Sequence, residues 1–149
     1  MRYKKTIAIV SCSKQKKVTD VPIPAEQLYN STLFKKALAC AKSLKPDEVY
    51  ILSAKYYLVE LTDKLPYYDM FLSKQSATYR RQWAETILKQ LEEKGVDLRN
   101  DHIVFLTGKD YYINLVGKIG HYEIIGKGLP QGKKMQEFAR ITEKNNRND

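Results

Sequence analysis

The sequence predicts an α/β fold of three layers, with a mainly parallel sheet of four strands and helices on both faces. Four short apolar runs, at 6–10, 48–52, 103–106 and 122–125, have the length and composition of buried strands. Stretches with apolar residues at helical spacing lie between and after these runs. Strands that alternate with helices usually pair in parallel, because each helical crossover returns the chain to the same end of the sheet.

The first helix is predicted from its periodicity and its end signals. Its apolar stripe consists of Leu33, Ala37, Ala41 and Leu44. Asn30 or Ser31 can cap its beginning, since each offers a side-chain oxygen to the free N–H groups of the first turn. Pro46 ends it.

A long helix follows the second strand at some distance. Its apolar stripe consists of Tyr79, Trp83, Ile87 and Leu91. Ser73 or Ser76 can cap it, and Gly95 is placed to end it in a left-handed conformation. A short helix at 111–116 and a last helix at 134–142 complete the pattern.

Length and composition indicate one domain over residues 1–143, followed by a polar tail at 144–149 that we expect to be frayed. Hydrophobic residues make up 43% of the chain, which is ordinary for a globular protein. No apolar run approaches the roughly 20 residues that a membrane span needs. The run at 6–10 is also too short for the core of a signal peptide. We therefore expect a cytoplasmic protein without a membrane partner.

The chain is basic: 26 Lys and Arg residues against 17 Asp and Glu residues give a net charge of +9. This balance favours an anionic partner, most simply a nucleic acid or a nucleotide. A lysine-rich surface without a specific partner is the alternative, since much of the excess is Lys spread along the chain. Six of the 11 tyrosines form adjacent pairs at 56–57, 67–68 and 111–112, in or beside loops that follow strands. Core packing alone does not readily explain such pairs.

The cysteines and histidines are too few and too scattered for a metal site. Cys12 and Cys40 cannot supply a disulfide framework or a Cys-rich zinc site. His102 and His121 each precede a strand, whereas Cys12 follows one, so a strand of roughly 17 Å, at about 3.3 Å per residue, separates them. This argues against a Cys–His nucleophile pair, which needs hydrogen-bond contact. We predict no metal and no cofactor, and we expect Cys40 to be a core residue.

The carboxyl ends of parallel strands meet at one edge of the sheet, where open α/β proteins bind their ligands. The central segment, which we define as residues 51–69, leaves such an end with polar and aromatic side chains. We predict a site where this segment meets the residues that follow the other strands. The candidate catalytic residues are Cys12, Lys55 and Asp69. The candidate ligand-binding residues are Ser11, Ser13, Lys14, Ser53, Tyr56, Tyr68, Gly108 and Lys109.

Each residue type in this predicted site has a functional role and a structural alternative. The lysines can neutralise phosphate. The tyrosines can stack on a nucleobase, which contributes roughly 1–3 kcal/mol of binding free energy per base. The structural alternative is that the tyrosines are buried with their hydroxyl groups hydrogen-bonded. Asp69 acts as a general base or holds a ribose or base edge, or else caps a turn. Cys12 is catalytic or is a small residue that closes a buried strand. The patterns GxxxxGK[ST] and GxGxxG are absent, so we predict neither ATP hydrolysis nor a dinucleotide site.

Four short motifs relate the chain to known sequences. They are Cys12-Ser13-Lys14, Leu28-Tyr29 with Phe34, the run Ile51-Leu52-Ser53-Ala54-Lys55-Tyr56, and Tyr68-Asp69. Together they resemble a bacterial and phage family, domain of unknown function 6884, over nearly the whole chain, with a weaker match at 128–138. Tyr57 and Tyr67 stand where the family pattern has Gly and Pro.

More distantly, the Leu-Ser-x-x-Tyr strand end is similar to that of the DNA-associated family of the peroxide-stress protein YaaA. It is also similar to the central domain of archaeosine synthase, a tRNA-base-modifying enzyme. These resemblances imply nucleic acid or nucleobases as partners.

We therefore expect a small α/β protein that binds or acts on a nucleotide, nucleobase or nucleic acid at the carboxyl edge of its sheet. Two other classes stay open. A non-catalytic nucleic-acid-binding module would lose affinity steeply with salt and form no product. A phage-type interaction protein or inhibitor would use the tyrosine pairs as interface anchors.

Overall fold

The structure is a computed structural model and describes residues 4–12 and 16–147; the candidate site residues Ser13 and Lys14 lie outside these ranges. The strands in the described ranges are β1 Thr6–Ser11, β2 Ile23–Pro24, β3 Glu48–Ser53, β4 Tyr57–Glu60, β5 Lys64–Leu65, β6 His102–Leu106 and β7 His121–Ile124. The α-helices are α1 Ala25–Leu28, α2 Thr32–Ser43, α3 Ala77–Glu93, α4 Lys109–Tyr112 and α5 Gln131–Arg147. Short 3₁₀ turns form at Leu72–Lys74 and Val116–Lys118. The prediction of an α/β fold is confirmed.

The main sheet contains five of these strands in the order β4-β3-β1-β6-β7. Strand β1 lies at the centre and pairs in parallel with β3 and β6, and β7 pairs in parallel with β6. The sheet is therefore mainly parallel, as predicted. The amino ends of β6 and β7 bring His102 opposite His121, at the end of the sheet away from Cys12.

The predicted number of four strands was wrong, because β4 adds a fifth. Residues 57–60 were expected to be irregular, but they pair antiparallel with β3, with Tyr57 opposite Ser53. Leu58 and Val59 are both buried, which fixes this stretch against the core. The backbone N–H of Leu58 donates to Oε1 of Gln90 in α3 at 2.9 Å. On this edge strand, the side chain thus accepts the hydrogen bond that another strand would otherwise accept.

Alternate residues of β1 contribute to two separate hydrophobic clusters. Ile7 and Ile9 belong to a cluster with residues of α3, among them Trp83, Ile87 and Leu91. Ala8 and Val10 belong to a cluster with residues of α2 and α5, among them Phe34, Ala37, Ala41 and Phe138. The period of two along a strand sends successive side chains to opposite faces of the sheet. Apolar residues on both faces explain why β1 reads as a continuous apolar run.

Helix ends follow the capping signals in the sequence. The side chain of Ser31 accepts from the N–H of Phe34 at 3.0 Å at the beginning of α2. Ser76 accepts from the N–H of Tyr79 at 3.0 Å at the beginning of α3. Gly95 follows α3 with a φ of 88°, in the left-handed region that a glycine adopts without steric cost.

The last helix is longer than predicted. Helix α5 continues through residues 144–147, which were expected to be part of a frayed tail. Near its end the side chain of Asn145 donates to Oγ of Ser43 in α2 at 3.1 Å. Packing of α5 along α2 thus orders the end of the helix. Within the described ranges, the structure contains no helix with the length and apolar character that a membrane crossing requires.

Candidate functional site

A cleft of about 590 Å³ opens at the carboxyl ends of β1 and β6. Ser11 and Cys12 line it from β1, and Thr107 and Gly108 line it from the end of β6. The chain leaves β1 towards β3 on one side of the sheet, and it leaves β6 towards β7 on the other side. Crevices at such topological switch points are the usual ligand sites of open α/β sheets.

The first turns of two long helices line the same cleft. Ser31, Thr32 and Leu33 contribute from the beginning of α2, and Gln131 and Lys134 contribute from the beginning of α5. Free N–H groups and the helix dipole make a helix N-terminus favourable for an anion. The acidic lining residue Asp110 is paired with Arg80, with the charged atoms 3.5 Å apart. The cleft is therefore suited to a negatively charged ligand.

Cys12 contacts a tyrosine across the cleft wall. Its sulfur lies 3.0 Å from the hydroxyl oxygen of Tyr111, which follows β6 in α4. The backbone N–H of Cys12 donates to the carbonyl of Leu52 at 2.8 Å, which fixes the cysteine at the end of β1. The ring of Tyr111 packs edge-on against Trp83, with ring centroids 5.8 Å apart. Both partners of this Cys–Tyr contact are thus held in place by the fold.

The central segment contributes a buried chain of hydroxyl groups. Oγ of Ser53 accepts from the backbone N–H groups of Lys55 and Tyr56 at 3.3 and 2.9 Å. It also lies 2.8 Å from the hydroxyl of Tyr68, which in turn lies 2.5 Å from the hydroxyl of Tyr29. Ser53 and Tyr29 are fully buried and Tyr68 is nearly so.

The directions of these hydrogen bonds follow from counting donors and acceptors. A hydroxyl group has one hydrogen and two acceptor positions. Both acceptor positions of Ser53 are occupied by backbone N–H groups, so Ser53 donates to Tyr68, and Tyr68 donates to Tyr29.

Lys16 is a buried cation near Cys12. Only 8% of the residue is exposed, and its ammonium lies 4.6 Å from the ring centroid of Tyr68 and 5.7 Å from that of Phe71, which lines the cleft. Burial lowers the pKa of Lys16 below its usual value, while the charges of Cys12 and Asp69 act in the opposite direction. Within the described ranges its ammonium forms neither a hydrogen bond nor a salt bridge. The faces of the Tyr68 and Phe71 rings are its main compensation for the hydration lost on burial.

Three tyrosine hydroxyl groups at this end of the sheet stay protonated. Burial raises the pKa of Tyr29, Tyr68 and Tyr111, and the charge of Cys12 raises each of them further. Protonated phenols keep a hydrogen to donate. Of these three hydroxyl groups, that of Tyr111 contacts the Cys12 sulfur.

The structure distributes the predicted site residues over three environments. Ser11, Cys12 and Gly108 line the cleft. Ser53 and Tyr68 are buried behind it, and Tyr56 is half-buried beneath the ammonium of Lys55 at 5.5 Å. Lys55, Asp69 and Lys109 are exposed at the surface. The central segment therefore supports the cleft more than it lines it.

Several residues that form this site were not among the candidates predicted from the sequence. They are Lys16, Tyr29, Phe71, Thr107, Tyr111 and Lys134. Tyr111 carried a signal, since it belongs to one of the three tyrosine pairs, and Thr107 immediately follows the third predicted strand. Nothing in the sequence around Lys16 indicated its burial, because the aromatic rings of Tyr68 and Phe71 come from a distant part of the chain. Within the described ranges, no three His, Cys, Asp or Glu side chains are grouped so that they could hold a metal ion.

Comparison with known families shows the family to which the chain belongs. The model of a family of unknown function, DUF6884, matches residues 7–140. The chain belongs to the DUF6884 family. A search of curated proteins gave no match.

Tyr57 has an unusual backbone conformation for a residue with a side chain. Its φ of 66° lies in the left-handed region. A side chain with a Cβ atom is disfavoured in this conformation. Tyr57 packs against the cluster that contains Trp83, which compensates for the backbone strain. The turn at Tyr57 thus has a backbone geometry that glycine favours, together with an aromatic side chain that packs on the core.

Proposed function

We propose that this protein binds a nucleotide in the cleft at the carboxyl edge of its sheet. The observation that carries the proposal is the position of the cleft between β1 and β6, with the first turns of α2 and α5 on its walls. Its volume of about 590 Å³ lies within the roughly 300–1,000 Å³ of typical ligand sites. The resemblances to the YaaA family and to archaeosine synthase support a nucleobase-containing ligand.

Two parts of the cleft suit the two parts of a nucleotide. The helix N-termini and Lys134 suit the phosphate, because they offer N–H donors and positive charge. Met70 and Phe71 line the cleft with apolar surface that suits the base. The hydroxyl groups of Ser31 and Thr107 can bond a ribose or a base edge.

Calorimetric titration with the four common ribonucleoside monophosphates and with inorganic phosphate tests the proposal. Lys134→Met is expected to weaken nucleotide binding roughly tenfold or more, because a charge-assisted hydrogen bond contributes about 1.5–3 kcal/mol. Lys133→Met is the matched control, since Lys133 is exposed on the same helix and does not line the cleft. Equal affinities for the two variants, or no binding of any nucleotide by the wild type, would contradict the proposal.

A nucleic acid bound along the same edge is the second candidate. Lys55, Lys109 and Lys127 follow β3, β6 and β7 and are all exposed, so they lie where a phosphate backbone would cross the carboxyl edge. The net charge of +9 supports this candidate as well. It predicts that affinity for a short oligonucleotide falls steeply with salt, and that replacing all three lysines by Met reduces the salt dependence. Affinity for mononucleotides would be unaffected.

A further inference from the structure

We propose that Gly126 is a positioning residue that directs the ammonium group of Lys134 into the cleft. The inference rests on the proposed nucleotide site and deepens it, because it identifies what holds the phosphate-binding lysine in place. Lys134 lines the cleft, and Gly126 lies behind it in the turn that follows β7. The effect of Gly126 on a bound ligand would therefore pass through the lysine side chain.

The stem of Lys134 lies across the backbone of Gly126. A Cβ atom at position 126 would lie 2.8 Å from Cγ of Lys134, and 3.7 and 3.8 Å from its Cδ and Cβ. Nonbonded carbon atoms normally stay about 3.5–4.0 Å apart. Any side chain at position 126 would thus displace the lysine stem, whereas glycine leaves the space that the stem occupies.

The turn that contains Gly126 leads directly into the helix that contains Lys134. The N–H of Leu129 donates to the carbonyl of Gly126 at 3.1 Å, which closes the turn. The N–H of Lys134 donates to the carbonyl of Pro130 at 2.9 Å at the beginning of α5. Hydrogen-bonded backbone therefore sets the position of the glycine relative to the first turn of the helix.

The ammonium group of Lys134 is available to a ligand. The residue is half-buried, yet its side chain forms neither a salt bridge nor a hydrogen bond with the described part of the chain. By contrast, the partly buried Lys5 pairs with Glu48 at 3.2 Å. Ordering a long lysine side chain costs conformational entropy, which an intramolecular ion pair does not offset at Lys134. A phosphate group in the cleft would supply the missing partner.

Gly128 provides a matched control for backbone strain. Gly126 and Gly128 have φ angles of 80° and 77°, so alanine is disfavoured at both positions for the same reason. A Cβ atom at Gly128 would meet nothing within 4 Å. The difference between the two alanine variants therefore reports the contact with Lys134.

Calorimetric titration with the four common ribonucleoside monophosphates compares the variants. Gly126→Ala is expected to weaken binding roughly three- to tenfold, because the ammonium is displaced from the phosphate. Gly128→Ala should bind as tightly as the wild type. In the Lys134→Met background, Gly126→Ala should cause no further loss, since the group that it displaces is absent. A glycine that is needed only for the fold would weaken binding in both backgrounds.

The contact can also be measured without a ligand. In NMR spectra of the free wild-type protein, we expect nuclear Overhauser effects between the Hα protons of Gly126 and the Hγ protons of Lys134. Their absence would overturn the inference, and so would equal affinities of Gly126→Ala and Gly128→Ala or a further loss in the Lys134→Met background.

Failure of the proposed function would look different from failure of this inference. A wild type that binds no nucleotide would refute the function, while the NMR measurement would still decide where the Lys134 side chain lies. Circular dichroism shows whether each variant is folded. If the alanine variants unfold, Gly126→Asn and Gly128→Asn replace them, because asparagine also has a Cβ atom and tolerates the left-handed conformation better than alanine.

Discussion

Replacement of Tyr68 by Phe should destabilise the protein more than replacement of either neighbouring tyrosine. The hydroxyl of Tyr68 accepts from Ser53 and donates to Tyr29, so its removal breaks two buried hydrogen bonds. Phe keeps the ring and therefore the edge-on contacts with Tyr29 and Tyr56, whose centroids lie 6.2 and 5.2 Å away. The change isolates the hydroxyl group from the packing of the ring.

The magnitude follows from the groups that lose their partners. Tyr68→Phe leaves the hydrogen of Ser53 without an acceptor, and Tyr29 loses its donor. At about 1–3 kcal/mol for each of these two buried groups, the free energy of unfolding should fall by about 2–6 kcal/mol. Tyr29→Phe breaks only the bond at the end of the chain, so we expect a loss of about 1–3 kcal/mol. Tyr67→Phe is the control, because Tyr67 is 44% exposed and adjacent in sequence.

Urea denaturation followed by circular dichroism gives the free energy of unfolding of each variant. The double variant Tyr29→Phe/Tyr68→Phe completes a mutant cycle and should show coupling between the two positions. Equal losses for Tyr29→Phe and Tyr68→Phe would refute the central position of the Tyr68 hydroxyl between two hydrogen-bond partners. A Tyr68→Phe variant as stable as the wild type would show that the hydroxyl chain does not stabilise the central segment.

Three further predictions concern the backbone and one buried thiol. Tyr57→Gly should be more stable than Tyr57→Ala by about 1 kcal/mol in urea denaturation, since only Ala keeps a Cβ atom at a φ of 66°. Gly120→Ala should clearly lower the thermal unfolding midpoint, because the new Cβ would lie 2.2 Å from the carbonyl oxygen of Arg99. Gly117→Ala is the control: its Cβ would meet nothing within 4 Å, so the midpoint should fall far less. Burial raises the pKa of Cys40 from 9.0 to about 11, so its contribution to stability is complete below pH 9 and is lost as the pH rises through 11. Stability measured across this range should fall less steeply in Cys40→Ala; identical slopes would contradict the assignment.

The local features of the fold could be predicted because they depend on neighbouring residues. Ser31 and Ser76 are followed by helical periodicity, and Gly95 follows the last turn of α3, so side-chain and backbone hydrogen bonding within a few residues sets these ends. The strand β4 was missed because its pairing partner is β3 and its burial comes from the tertiary core. A stretch of four residues does not carry enough pattern to distinguish an edge strand from a loop.

The same distinction, between what neighbouring residues determine and what tertiary packing determines, applies to the candidate site. The sequence alone determined that Ser11, Cys12 and Gly108 follow parallel strands and so gather at one edge of the sheet. Only the tertiary structure decided the strand order, which puts β1 beside β6 and brings Cys12 against Tyr111, 99 residues further along the chain. It also turned Ser53 and Tyr68 inward. Periodicity records which face of an element is apolar, whereas the choice among strand neighbours depends on how all the apolar faces pack together, and no short stretch of sequence contains that information.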